Sequence, residues 1–328
     1  MLTEAQLKER KTGLGGTDAA AILGLSKFKT PMDVYFDKTS DLMDVKPNEA
    51  MQRGIKLEKF VKQAYIKSTG FHVDDVHQTY RHAEHDFMLA NLDGWRPDNE
   101  SIVEFKTASN YMKHEWGDPG TDEIPRDYLL QVAHYAIVKN VERVDIGVLF
   151  GDKQFFDNII VLMQDQFSIP YLVQELSYDF RIYTYIKHKD LEDRLIEREH
   201  NFWHEHVLKR QMPELKTLQD YQKAFPIGTE RKIEATPDIV TNLNSFSELK
   251  NRYQEEEKKI KLACVDTLKE SSYLILNNMD DEKILASYRN KSRSSFDMEN
   301  FKKDHPDLYE QYKKTTTYRE LKINGIDA

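Results

Sequence analysis

The chain is poor in the residues that carry soft-metal and redox chemistry. Its 328 residues include one cysteine, Cys264. That excludes an internal disulfide, a cysteine-built zinc site and a four-cysteine iron–sulfur cluster. Cys264 sits in a helical pattern and reads as a small buried hydrophobe. Positive charge is also in deficit: 47 Lys and Arg face 56 Asp and Glu, a formal net charge of −9. A uniformly basic coat for nucleic acid is therefore excluded, although a local basic groove is not. No apolar run approaches the roughly 20 residues that span a bilayer. Met1-Leu2-Thr3-Glu4-Ala5 does not open like a secretory leader. What is present, with 39% hydrophobic and 11% aromatic residues, suffices for a sizeable core. The expectation is a soluble cytoplasmic protein, without a membrane partner, whose chemistry comes from carboxylates, lysine, histidine and hydroxyls.

Pattern and punctuation give the organisation. Thr17 reads as the N-cap of a short helix over 19–23 that Gly24 stops, and Thr30-Pro31 opens a second helix to Lys38. A longer helix is expected over 48–68, closed by Gly70. Strands follow at 71–73, 87–93 and 101–107, the last two joined by a polar turn from Trp95 to Glu100. A helix over 127–140, strands at 144–150, 158–163 and 180–186, and a helix over 190–210 complete a core of residues 1–212. Pro213, Pro226, Gly228 and Pro237 mark a linker over 213–240. A C-terminal module over 241–328 reads as a helix from Phe246 to Ser271, a strand at 273–276 and a β–loop–β tail around Tyr288 and Tyr318. The whole is α+β: a mixed central sheet flanked by helices, plus a small C-terminal α/β module.

The chemistry concentrates in Asp93, ten intervening residues, and Glu104-Phe105-Lys106. Residues two apart in a strand share a face, so Glu104 and Lys106 point one way and Phe105 the other. Pairing of the strands on either side of the turn would bring Asp93 beside Glu104. Two carboxylates and a lysine at one sheet end suit a hard divalent cation, with the lysine placing a water or steadying a phosphate. The plain alternative is a surface hairpin with a Glu/Lys ladder; Leu89, Leu92, Ile102, Val103 and Phe105 argue for a buried one. Glu58 falls in helical register with Val61 and Tyr65 and is a further ligand candidate, or an exposed helix glutamate. Gln131, three residues after Tyr128, is placed to orient Lys106 or a water, or to face solvent.

Five motifs now stand in order: Gly13-Leu14-Gly15-Gly16-Thr17-Asp18-Ala19-Ala20-Ala21-Ile22-Leu23-Gly24; Arg53-Gly54 with Glu58; Leu92-Asp93-Gly94; Glu104-Phe105-Lys106-Thr107; and Tyr128-Leu129-Leu130-Gln131-Val132-Ala133-His134-Tyr135. Together they resemble the YqaJ-type viral recombinase family, prophage relatives of lambda exonuclease with the PD-(D/E)XK nuclease core. The resemblance spans about residues 10–210 and implies a restriction-endonuclease-like fold. It implies a magnesium-dependent exonuclease, with manganese able to substitute, that resects the 5′-ended strand of linear duplex DNA. Carried over residue by residue, Glu58, Asp93, Glu104 and the Phe105 backbone carbonyl would hold one or two Mg2+ ions. Lys106 would activate the water, with Gln131 and Tyr128 supporting it. The glycine-rich segment would be a 5′-phosphate pocket: Gly16 and Thr17 at a helix start, with Arg10 and Lys27 as cations. The resemblance also implies a ring-shaped homotrimer around double-stranded DNA ends. Its 3′ overhangs would pass to a single-strand annealing protein of the RecT/Red-beta kind, in the cytoplasm of a phage-bearing bacterial host. The stretch over 152–178 is longer than the compact family pattern.

Other features read plainly. His200, His204 and His206 lack any accompanying carboxylate pattern and read as solvated helix histidines. Glu255-Glu256-Glu257-Lys258-Lys259 reads as a solvated helix face. The tail over 286–322 interleaves nine Lys/Arg with aromatics, which serve either a nucleic-acid or protein partner or the module's own core.

Overall fold

In a computed structural model of the chain, residues 8–40, 48–164, 168–228, 232–278, 281–315 and 321 are described. They fall into two compact units, residues 1–221 and 222–328. The boundary lies inside the stretch expected as a linker.

The first unit begins with a two-residue strand, β1 (Leu14–Gly15), running straight into helix α1 (Gly16–Ile22). Its cap is Gly15 rather than Thr17, because the Asp18 carboxylate accepts the Gly15 amide at 3.0 Å and Thr17 lies inside the first turn. Gly24, at φ +69°, ends the turn as expected. Thr30 caps α2 (Pro31–Thr39): its hydroxyl accepts the Asp33 amide while the Asp33 carboxylate accepts the Thr30 amide at 2.9 Å. Asn48 caps α3 (Glu49–Thr69), and Gly70 closes it at φ +72°. One face of α3 buries Leu57, Phe60, Val61, Ala64 and Tyr65.

The strands are β2 (Thr79–Arg81), β3 (Met88–Asn91), β4 (Gly94–Arg96), β5 (Ser101–Ser109), β6 (Arg143–Gly151) and β7 (Asp179–Ile186). They form two sheets, ordered β1-β3-β2 and β4-β5-β6-β7. This corrects the expected hairpin. The strand expected over 87–93 ends at Asn91, the chain leaves that sheet at Leu92-Asp93, and β4, expected as turn, pairs antiparallel with β5 (Gly94↔Val103). Gly94 permits the crossing, since a β-carbon there would stand 2.6 Å from Val73 Cγ1. Residues 71–73 form no strand; their neighbour Asp74 makes a single bridge to Trp95.

Helix α4 (Arg126–Lys139) links β5 to β6, which run parallel, and the other pairings of this sheet are antiparallel. Alternation along β5 sends Val103 and Phe105 into a core with Leu57, Phe60, Tyr65 and Leu149, while Glu104 meets Gln131 of α4. The result is a mixed sheet between helices. The strand expected over 158–163 is instead part of helix α5 (Lys153–Gln164), followed by α6 (Ile169–Glu175). Phe156, Ile159, Ile160 and Met163, at helical spacing, pack with α3, and tertiary packing overrides the β-branched run. The longer stretch over 152–178 is thus largely a helical layer on α3. Helix α7 (Lys189–Asn201) widens into a π-helical segment over Phe202–Leu208, and α8 (Leu218–Ala224) follows. Buried Asp220 accepts the Thr30 hydroxyl at 2.6 Å and the Thr217 amide at 2.9 Å.

The second unit holds α9 (Pro237–Leu268), which begins earlier than expected because Thr236 caps it with Pro237 in its first turn. Strands β8 (Tyr273–Asn278) and β9 (Asp281–Ser287) form an antiparallel pair. Short helices α10 (Met298–Asp304) and α11 (Pro306–Tyr312) replace the loop expected beyond them, and the strand around Tyr318 lies outside the described residues. Cys264 is half-buried rather than buried. Tyr288, Phe296 and Tyr312 are exposed, so they form no core here. Among the described residues no helix is long and apolar enough to cross a membrane.

Candidate active site

The interior strand β5 carries the candidate catalytic residues Glu104 and Lys106. Glu104 is almost wholly buried. Its Oε1 accepts two donors, the Lys106 ammonium at 2.5 Å and the Gln131 amide at 2.7 Å. Its Oε2 is buried without a hydrogen-bond partner. Asp93, at the crossing between the two sheets, accepts the Phe105 amide through Oδ2 at 2.9 Å. This hydrogen bond fixes Asp93 next to Glu104, although the strand pairing that brings it there is not the expected one. The Lys106 ammonium also lies 5.1 Å from the centre of the Tyr128 ring. Gln131 and Lys106 therefore converge on one oxygen of Glu104, and the second amide proton of Gln131 goes to the Tyr135 hydroxyl at 3.0 Å.

Burial and the nearby Asp93 carboxylate push the Glu104 carboxyl up to about 8. Burial pulls the Lys106 ammonium down, but Glu104 and Asp93 outweigh it and raise its pKa. Partial burial and Asp93 likewise raise Glu58. Glu58 lies on the exposed edge of α3, outside the buried stripe in which the helical spacing put it, yet near enough to feel Asp93 and Lys106. Tyr135, buried beside the same carboxylates, has its phenol held well above the ordinary value.

Among the described residues, no three His, Cys, Asp or Glu side chains are gathered tightly enough to enclose a metal ion. The donor chemistry nonetheless fits one. Glu104 and Asp93 offer carboxylate oxygens, one of them buried and unpaired, and oxygen is the donor a hard divalent cation takes.

The glycine-rich segment builds a second cluster. Arg10 Nη2 donates to the Thr17 hydroxyl at 3.3 Å. Buried Asp18 receives the Lys38 ammonium at 2.8 Å, with Lys29 at 3.8 Å. Burial raises the Asp18 carboxyl, but Lys38, Lys29 and Arg10 outweigh it and hold it far below its usual range. The Lys38 ammonium also donates to the Arg10 carbonyl at 2.9 Å and lies 3.4 Å from Asp37. Three cations thus meet two carboxylates, leaving one positive charge in surplus. Lys27 is elsewhere, paired with Glu115 at 2.6 Å. The glycines have a packing reason of their own: a β-carbon on Gly16 would stand 2.6 Å from Tyr135 Cε1, and one on Gly13 2.5 Å from the Phe87 carbonyl. Sequence reasoning missed Asp18, Lys29, Lys38 and Tyr135. Tyr135, at i+4 from Gln131 on α4, was the one with a local signal.

Residues 6–142 match the YqaJ-like viral recombinase domain. Every residue of the two clusters lies inside that match, from Arg10 to Tyr135. Over 341 aligned positions the chain is 29% identical to a Bacillus subtilis protein described as uncharacterized protein YqaJ, covering 99% of this chain and 95% of that one. Among solved structures it is similar to the alkaline exonuclease LHK-Exo of Laribacter hongkongensis (17% identity, 64% of this chain, 97% of that one, TM-score 0.46). It is also similar to a phage-related exonuclease from Haemophilus somnus (14% identity, 62% of this chain, 99% of that one, TM-score 0.44).

Proposed function

We propose that the chain is a divalent-metal-dependent nuclease that resects linear duplex DNA from its 5′ ends. The observation that carries this reading is the buried Glu104, with Oε1 doubly held by Lys106 and Gln131 and Oε2 left unpaired beside Asp93. The match of residues 6–142 to the YqaJ-like viral recombinase domain supports this reading.

Asp93 and Glu104 would hold Mg2+, with the Phe105 carbonyl and Glu58 completing the set. The bound ion supplies charge neutralisation at the phosphodiester and a more acidic water. The protein's own groups do the rest. Gln131 and Lys106 fix one Glu104 oxygen so that the other stays free. The Phe105 amide fixes Asp93. Lys106, steadied over the Tyr128 ring, donates to the attacking water or to the phosphate oxygen where charge develops. Arg10 and Thr17 would take the terminal 5′-phosphate, and Lys29 and Lys38 keep that corner positive despite Asp18. On this reading the product is a 3′ overhang for a single-strand annealing protein, and the working form is a ring-shaped trimer.

The test compares 5′-phosphorylated linear, 5′-hydroxyl linear and circular duplexes, with Mg2+ and with chelator. Loss of the phosphorylated linear duplex first, dependent on Mg2+, is expected. Equal cutting of the circle would make the protein an endonuclease and end the end-directed reading.

A further inference from the structure

Gly16 marks a contact of unusual closeness. A β-carbon there would stand 2.6 Å from Tyr135 Cε1, 3.0 Å from the Gln131 carbonyl and 3.1 Å from Gln131 Cγ. The same two residues reach Glu104 from α4, because the Gln131 amide divides its protons between Glu104 Oε1 and the Tyr135 hydroxyl. Gly16, Gln131 and Tyr135 are all buried. One turn of α4 thus has the glycine-rich backbone against one flank and the catalytic carboxylate against another, with no spare space at the contact. Close-packed interiors transmit displacement rather than absorb it. A tyrosine ring has few rotatable bonds, so it holds spacing well.

We propose that Tyr135 is a positioning residue, a strut that fixes how far the terminal-phosphate cluster stands from Glu104 by bracing Gly16 and tethering Gln131. The inference rests on the end-directed nuclease reading above. It assigns the Gly16–Tyr135 contact a part in aligning the attacked bond, beyond holding two helices together. Tyr135→Phe keeps the ring and releases Gln131. Gly16→Ala keeps Gln131 tethered and forces the two flanks apart.

The experiment measures kcat and KM for full-length wild type, Tyr135→Phe, Gly16→Ala and the double variant on 5′-phosphorylated and 5′-hydroxyl linear duplexes. Thermal melting confirms that each is folded. For Tyr135→Phe we expect kcat to fall about tenfold with KM unchanged, the loss of one hydrogen bond to the group that orders Glu104. Gly16→Ala should slow the phosphorylated substrate more than the hydroxyl one, since the latter does not engage the anchor. The double variant should lose less than the product of the single losses, as coupled residues do. A merely structural defect would slow both substrates equally. Wild-type kcat in Tyr135→Phe, or equal slowing of both substrates by Gly16→Ala, overturns the strut while leaving the nuclease reading intact. A wild type that releases no nucleotides from linear ends overturns that reading, and the strut falls with it.

Discussion

His134 and Glu199 should make the stability of the first unit depend on alkali. His134 lies at the centre of α4 with no solvent access, its Nε2 2.9 Å from the Leu89 carbonyl and its Nδ1 2.9 and 3.0 Å from the two oxygens of Glu199. A carbonyl only accepts, so Nε2 must carry a hydrogen. The contact between Nδ1 and Glu199 then needs one more proton, on the imidazole or on the carboxyl. Burial lowers the His134 pKa, but Glu199 outweighs it and raises it; burial raises Glu199 despite the histidine. Both directions say that the folded pair keeps a proton which the unfolded chain gives up near the ordinary histidine value of 6.5. Stability from this pair is therefore fully present below about pH 6.5 and is lost as pH rises through the folded pKa. Between the unfolded and the folded value the slope is about 1.4 kcal/mol per pH unit for one proton. For a unit of this size each kcal/mol lost lowers Tm by about 2–4 °C. Glu199→Gln provides the control, because its amide can donate to Nδ1 without titrating. It should melt close to wild type at pH 8 and lose the slope. His134→Ala leaves a buried carboxyl and a buried carbonyl without partners and should cost about 3–5 kcal/mol at pH 6.5. Differential scanning calorimetry from pH 6 to 9 reads all three. A wild-type slope retained in Glu199→Gln would refute the assignment of the proton to this pair.

Three further outcomes follow from the two clusters. Lys106→Ala should reduce nucleotide release by at least about a hundredfold, the usual range for a proton-handling group, while gel-shift binding of duplex ends persists. Mg2+ or Ca2+ should raise the melting temperature of wild type and leave that of Glu104→Gln unmoved, since ligand binding to the folded state alone stabilises it. Lys29→Ala should erode the preference for 5′-phosphorylated ends several-fold and Lys27→Ala much less, because Lys29 approaches Asp18 whereas Lys27 is paired with Glu115; equal effects in the cleavage assay would move the anchor toward Lys27.

Much of the site was legible because its signals are local. Glu104 and Lys106 share a strand face by alternation alone, Gln131 and Tyr128 share a helix face, and Thr30-Pro31 and Gly70 announce helix ends through their own side chains and dihedrals. The losses came where partners are distant. Residues 158–163 carry a β-branched run, yet become helix because Phe156 and Ile159 find α3. The 87–93 segment reads as one strand, and only packing of Gly94 beside Val73 and Phe105 explains the change of sheet after Asn91. Thr17 is a good cap by composition, and Asp18 displaces it by bonding the Gly15 amide from inside the helix. Lys38 reaches Asp18 across a loop and a helix, a contact with no sequence period. Helical spacing puts Glu58 in the inward stripe, but its neighbour Leu57 fills that stripe and Glu58 falls one position outside it.

Asp93 holds the Phe105 amide where β4 has already ended its ladder with β5. The same carboxylate is thus a backbone partner for the central sheet and a candidate metal ligand. Alanine at this position would remove both at once, and a loss of activity could not be told from a loosened strand. Asparagine retains an oxygen for the amide and discards only the charge. For trapping the protein on a DNA end in a folded, silent state, the informative substitutions are Asp93→Asn and Lys106→Ala, and Asp93→Ala is the one to avoid.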